Sequence, residues 1–151
     1  MAEFLANAVQ LVAVNQPVAL TTSIGCNKGY VYHRPESGII TLRGIVNNPC
    51  SCFARYQATF VGNIALPTGA TLGSIAISLA LDGEPIPTSR AILTPAAVDE
   101  YGNVTCTAII DVIRGCCVNL SVENVSEGAT AGAAAPSINV QNANLVISRL
   151  A

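Results

Sequence analysis

Side chains alternate in character along this chain with a period of two. In ARYQATFVGNI, Ala54, Tyr56, Ala58 and Phe60 share one face, and Arg55, Gln57 and Thr59 the other. That is the pattern of a strand buried on one side. SIAISLALDG sets Ile75, Ile77, Leu79 and Leu81 against the small Ala76, Ser78 and Ala80, then stops at Asp82-Gly83, a hairpin signal. NVTCTAIIDV places Val104, Cys106, Ala108, Ile110 and Val112 opposite Thr105, Thr107, Ile109 and Asp111. CVNLSVEN alternates Val118, Leu120 and Val122 against Asn119, Ser121 and Glu123. LVAVNQPVAL, GIITLRGIV and IPTSRAIL read as further strands, and INVQNANLVISRL closes the chain with a phase slip near Asn142 to Asn144 that predicts a bulge.

Helices have little to start from. MAEFLANAV is too short to be stable alone, and TPAAVDEYG allows at most one turn. About eight strands, separated at short spacing by Pro, Gly and Asn turns, predict an all-β antiparallel sandwich or jelly roll. SEGATAGAAAPS, residues 126 to 137, is poor in core formers and predicts a loop before the last strand.

The surface such a fold presents follows from composition. Of 151 residues, 11% are charged and 51% hydrophobic, where a typical globular chain carries about a quarter charged. One domain of this length has a core, but its surface must be largely neutral, and extended apolar patches mark contact with other chains. An oligomer or assembly component is expected. A net charge of −2 with seven Lys and Arg in all gives no basic footprint, so no nucleic-acid partner is expected. The opening residues hold Glu3 and no Lys or Arg, unlike the basic start of a secretory signal, and no uninterrupted apolar run reaches membrane-spanning length. The expectation is a soluble protein without a membrane span, made in the cytoplasm. Six cysteines suit that compartment poorly as disulfides, which favours maturation outside, in a virion or at the cell exterior.

NNPCSCFARY places Cys50 and Cys52 one residue apart, and IRGCCVNL places Cys116 and Cys117 side by side. Three readings stay open: a disulfide, reduced buried thiols, and a tetrathiolate zinc site, whose spacing here is tighter than the usual Cys-x2-Cys. A bond between neighbouring Cys116 and Cys117 would be strained, and a redox centre lacks its Cys-x-x-Cys and following helix. Cys106, mid-strand on an apolar face, reads as a small buried hydrophobe. Cys26 in GCNKG is unassigned.

Catalysis has few candidates. His33, in YVYHRPESG, is the single histidine, and a lone loop histidine reads as solvated or as an intersubunit contact. Asp82, Glu84, Asp99, Glu100 and Asp111 are scattered, and VDEYGN lacks the acidic alternation of a calcium loop. No enzyme, catalytic residue, cofactor or metal is expected.

The order of elements resembles the tumour necrosis factor and complement globular-head superfamily. The resemblance lies in SGIITLRGI, ARYQATFVG, SIAISLALDGEPIP with its LDGEPI turn, VTCTAIIDVIRGCCVNLSVEN and a closing ANLVISRL, from about Leu11 to Leu150. The patterns are local, and Phe and Tyr are sparser than in the eukaryotic members. The resemblance implies a TNF-like jelly roll of eight to ten strands, assembling as a homotrimer, in a branch that bacteria and phages use on spore surfaces, capsids and fibres. It further implies that the strand starting at Phe53 lies antiparallel to Asn103–Val112. That would bring Cys50 and Cys52 toward Cys116 and Cys117, where a bridge closing some sixty residues would add about 4 kcal/mol in the chain-entropy model. Residues 1–10 are then expected to form an N-terminal arm that anchors through Phe4 and Leu5 on other virion or surface-layer proteins, with residues 11–151 as the jelly-roll domain. The implied function is a structural module of a phage particle, in capsid decoration, a head fibre or a spike. The alternative is a bacterial surface or spore-layer module recognising glycan or protein.

Overall fold

The computed structural model describes residues 1–25 and 29–150, so Cys26 lies outside the described residues. Twelve strands form among them: β1 (Ala2–Ala6), β2 (Gln10–Val12), β3 (Thr22–Ile24), β4 (Val31–His33), β5 (Ile40–Arg43), β6 (Phe53–Ala65), β7 (Ile75–Leu81), β8 (Glu84–Pro85), β9 (Ala91–Leu93), β10 (Gly102–Ile113), β11 (Cys117–Asn124) and β12 (Ile138–Arg149). They build two six-stranded sheets. The first runs β10-β6-β12-β1-β3, with β2 also on β12, and the second β4-β5-β11-β7-β8, with β9 also on β7. The ladders are antiparallel, and the chain changes sheet from β3 to β4, β5 to β6, β6 to β7, β9 to β10, β10 to β11 and β11 to β12. The result is an antiparallel jelly-roll sandwich, as the alternation predicts.

The inward face of each strand is its apolar phase. Ala54, Tyr56, Ala58, Phe60, Cys106, Ile110, Leu145 and Ile147 from the first sheet meet Ile40, Leu42, Ile75, Ile77, Leu79, Leu120 and Val122 from the second, in one buried cluster. Each large aliphatic or aromatic side chain withdrawn in this way contributes about 1.5–3 kcal/mol. Tyr56 is fully buried, and its hydroxyl donates to the Arg43 carbonyl at 2.5 Å, which satisfies the one polar atom that the ring carries into the core. The β7–β8 hairpin turns on Asp82 (φ 51°) and Gly83 (φ 83°), the two left-handed residues of a type I′ turn. The predicted bulge is present: the β6–β12 register shifts between Gln141 and Asn144, with Asn142 at φ 51°.

Three expectations are corrected. Residues 1–10 are not a detached arm. Ala2–Ala6 forms β1, hydrogen-bonded between β12 and β3, and Ala2, Phe4 and Ala6 are buried. AEFLA alternates as a strand does, and an arm would leave the Phe4 ring in water at a cost the sandwich avoids. Pairings of two or three residues, such as β8 and β9, bring the strands among the described residues to twelve and are too short to show a period. Finally, LVAVNQPVAL pairs as a strand only at Leu11 and Val12, within β2, since Asn15 is left-handed and Pro17 has no N–H to donate. IPTSRAIL likewise splits into a 3-10 turn at Pro87–Ser89 and β9.

Candidate functional site

The outward phase of the first sheet forms one broad face. Pairing across its strands aligns Thr22, Leu5, Asn144, Val61 and Thr105 in one row, and Ile24, Glu3, Val146, Thr59 and Thr107 in the next. Ser148, Gln57 and Ile109 follow. Hydroxyls and aliphatic groups dominate these rows. Ile24, Phe53, Val61, Ile109 and Ile113 are exposed on or beside it, and Leu5 and Val146 are half-buried. Few charges interrupt it. Glu3 accepts from Asn144 Nδ2 at 2.7 Å, and Arg55 and Asp111 hold each other in a two-pronged ion pair of 2.7 and 2.8 Å. The hydrogen bond from Arg55 lowers the Asp111 pKa below the ordinary carboxylate value, so the pair stays charged and mutually neutralised. Sequence reasoning passed over this face. The available signal was Ile109, an apolar residue in the phase of Thr105, Thr107 and Asp111, and Val61, in the phase of Gln57 and Thr59.

Of the two expected anchors, Phe4 is in the core and Leu5 is on this face. Phe4 is fully buried, its ring centroid 4.9 Å from that of His33. His33 is therefore a core residue rather than a solvated one. It is 2% exposed, its Nε2 donates to the Ser37 carbonyl at 2.9 Å, and its Nδ1 is buried without a partner. The carboxylates of VDEYGN are engaged locally: Asp99 accepts from Thr68 Oγ1 at 2.6 Å, and Glu100 from the Ala96 and Ala97 amides.

The four paired cysteines gather at one end of the sandwich. Phe53 lies opposite Ile113, and the Cys52 carbonyl accepts from the Arg114 amide at 2.9 Å. Cys116 N–H closes the β10–β11 turn on the Ile113 carbonyl, and Cys117 pairs with Arg43. Gly44 packs so tightly under this turn that a Cβ there would lie 2.2 Å from the Ile113 carbonyl oxygen. Cys50, Cys52, Cys116 and Cys117 are exposed free thiols, and among the described residues no three His, Cys, Asp or Glu side chains converge as a metal site. Cys106 differs from them. It is buried, and burial pushes its thiol up to about 11, opposed by a hydrogen bond with the Ala91 backbone. Since burial disfavours the thiolate, the stability this thiol contributes is complete below its unfolded pKa and is lost as pH rises toward 11. With the reduced protein near pH 8, iodoacetamide is expected to modify the four exposed thiols in the native state and Cys106 only after unfolding. Equal rates at Cys106 and Cys52, followed by peptide mapping, would contradict this burial.

Among the described residues no helix is long and apolar enough to cross a membrane. No family model and no curated protein matches the sequence. Among solved structures, the globular domain of the zebrafish complement 1qA protein aligns with a TM-score of 0.56 at 14% identity, covering 99% of this chain and 97% of that one. At that identity the likeness shows the fold alone, an antiparallel jelly roll. Two sugar-binding structures align more loosely. The C-terminal domain of EclA gives a TM-score of 0.37 at 16% identity over 78% of this chain and 82% of that chain. The CBM22-1 xylan-binding domain from Paenibacillus barcinonensis Xyn10C gives 0.36 at 9% over 99% and 87%. Neither carries an argument here.

Proposed function

We propose that the protein is a non-enzymatic structural module that associates as a homotrimer through the outer face of the β10-β6-β12-β1-β3 sheet, as a decoration, fibre or spike component of a phage particle. The observation that carries the reading is that face itself: contiguous rows of Thr, Val, Ile and Leu whose few charges are already engaged, Arg55 with Asp111 and Glu3 with the Asn144 amide. Such a face gains by being covered. Threefold closure is what the globular-head resemblance implies, and a cyclic arrangement uses the same patch on every copy. The exposed thiols at Cys50, Cys52, Cys116 and Cys117 would then act as a late lock, free in newly made protein and bridged once the particle meets an oxidising exterior.

Mass spectrometry of purified particles, alongside cell-envelope and spore-coat fractions, separates this reading from that of a bacterial surface module. Co-purification with particles at fixed stoichiometry is expected. Recovery only in the envelope or coat fractions would replace the particle with a cell surface while leaving the homotrimer in place.

A further inference from the structure

The second sheet carries a feature of its own. Along β7 the large side chains point inward, so the other phase, Ala76 and Ser78 with Ser74 just before the strand, is small. This makes the strand the floor of a trough. One wall is Arg90, Ile92 and Thr94 and the other is the 125–129 segment. Two hollows of about 470 and 480 Å³ lie along this floor, and both are lined by Arg90 and Glu127. Each has the size of a small-ligand site. The residues common to both form an ion pair, Arg90 Nη1 to Glu127 Oε1 at 3.1 Å, with Arg90 Nη2 also donating to the Val125 carbonyl at 3.4 Å.

The two partners are unequal. The Arg90 side chain is 34% exposed, whereas that of Glu127 is 78% exposed. A carboxylate so open to water adds little by its pairing, so a ligand carboxylate can replace it on the planar guanidinium and gain a bidentate contact. Glu127 thus occupies the place of a ligand acid group. The walls say which acid. Peptide recognition along a strand needs free main-chain groups, but the β7 backbone is bonded on both sides: Ile75–Ile77 pairs with β9, and Ala76 exchanges hydrogen bonds with Val125 and Ser126. What the trough offers instead is a hydroxyl pair, Ser74 and Thr94 at 2.9 Å, and the apolar surfaces of Pro85, Pro87 and Ile92. Hydroxyls beside apolar surface, with one cation, complement the hydroxyls, C–H faces and carboxylate of a uronic-acid-type sugar.

We infer that this trough binds an acidic oligosaccharide, with Arg90 holding its carboxylate and Glu127 as the internal competitor. The inference is independent of the trimer face, which lies on the other sheet. Trigalacturonate titrated calorimetrically into the full chain tests it, with maltotriose and triglutamate as comparisons. Trigalacturonate is expected to bind, Arg90→Gln to weaken it by on the order of tenfold or more, and Glu127→Gln to tighten it, each variant keeping the wild-type mass by light scattering. Maltotriose should bind at least roughly tenfold more weakly, as it lacks the charge-assisted contact. Equal affinity in Arg90→Gln, unchanged affinity in Glu127→Gln, equal binding of maltotriose, or no binding of trigalacturonate would overturn the site. Triglutamate binding as tightly as trigalacturonate would overturn the assignment to sugars.

Discussion

Deletion of residues 1–6 is expected to abolish folding. The segment looks peripheral in the sequence, but β1 is an interior strand, bonded to β12 along its length from Ala2 opposite Ile147 to Ala6 opposite Ala143, and to β3 on its other side. Removing it strips one edge of β12, detaches β3 and opens the core at Phe4. The point substitution measures the packing alone: Phe4→Ala removes a fully buried ring and should cost about 3–5 kcal/mol, a large share of the roughly 5–15 kcal/mol a domain has in total. Leu5→Ala, one residue along and half-buried on the outer face, should leave the subunit fold nearly unchanged. Urea unfolding followed by circular dichroism reads all three. A truncated protein with a wild-type transition would contradict the placement of β1, as would equal losses in Phe4→Ala and Leu5→Ala.

The misplaced N-terminus shows where sequence reading ran out. Long strands were legible because each has four or more residues of one phase. β6, β10 and β12 could be read directly, and even the bulge near Asn142 was visible as a slip in phase. AEFLA has only two clear alternations, so the same five residues serve equally as a short helix, an arm or a strand. What decides among them is the open lane between β12 and β3, a feature of tertiary structure. The β6–β10 pairing was expected from the resemblance alone, and its register places Phe53 opposite Ile113. Burial of His33 was not legible, because it depends on Phe4 packing against it from a strand of the other sheet. The trough on the second sheet was half visible: the small phase of Ala76, Ser78 and Ala80 was plain, but its walls come from segments distant in sequence.

The proposed homotrimer would use the outer face of the first sheet, and Val146 lies near the middle of that face, between Glu3 and Thr59 in register. Val146→Lys is suited to the purpose because the new ammonium lies beside Glu3 and is tolerated in the lone subunit. Within an assembled interface it would bury charge in every copy, at a cost of several kilocalories per ion. Light scattering at micromolar concentration, with circular dichroism to confirm the fold, reads the outcome. For a chain of 15.5 kDa the wild type should give three times that mass, about 47 kDa, and Val146→Lys a folded species near 15.5 kDa. A monomeric wild type, or a Val146→Lys protein that keeps the trimer mass, would contradict the account.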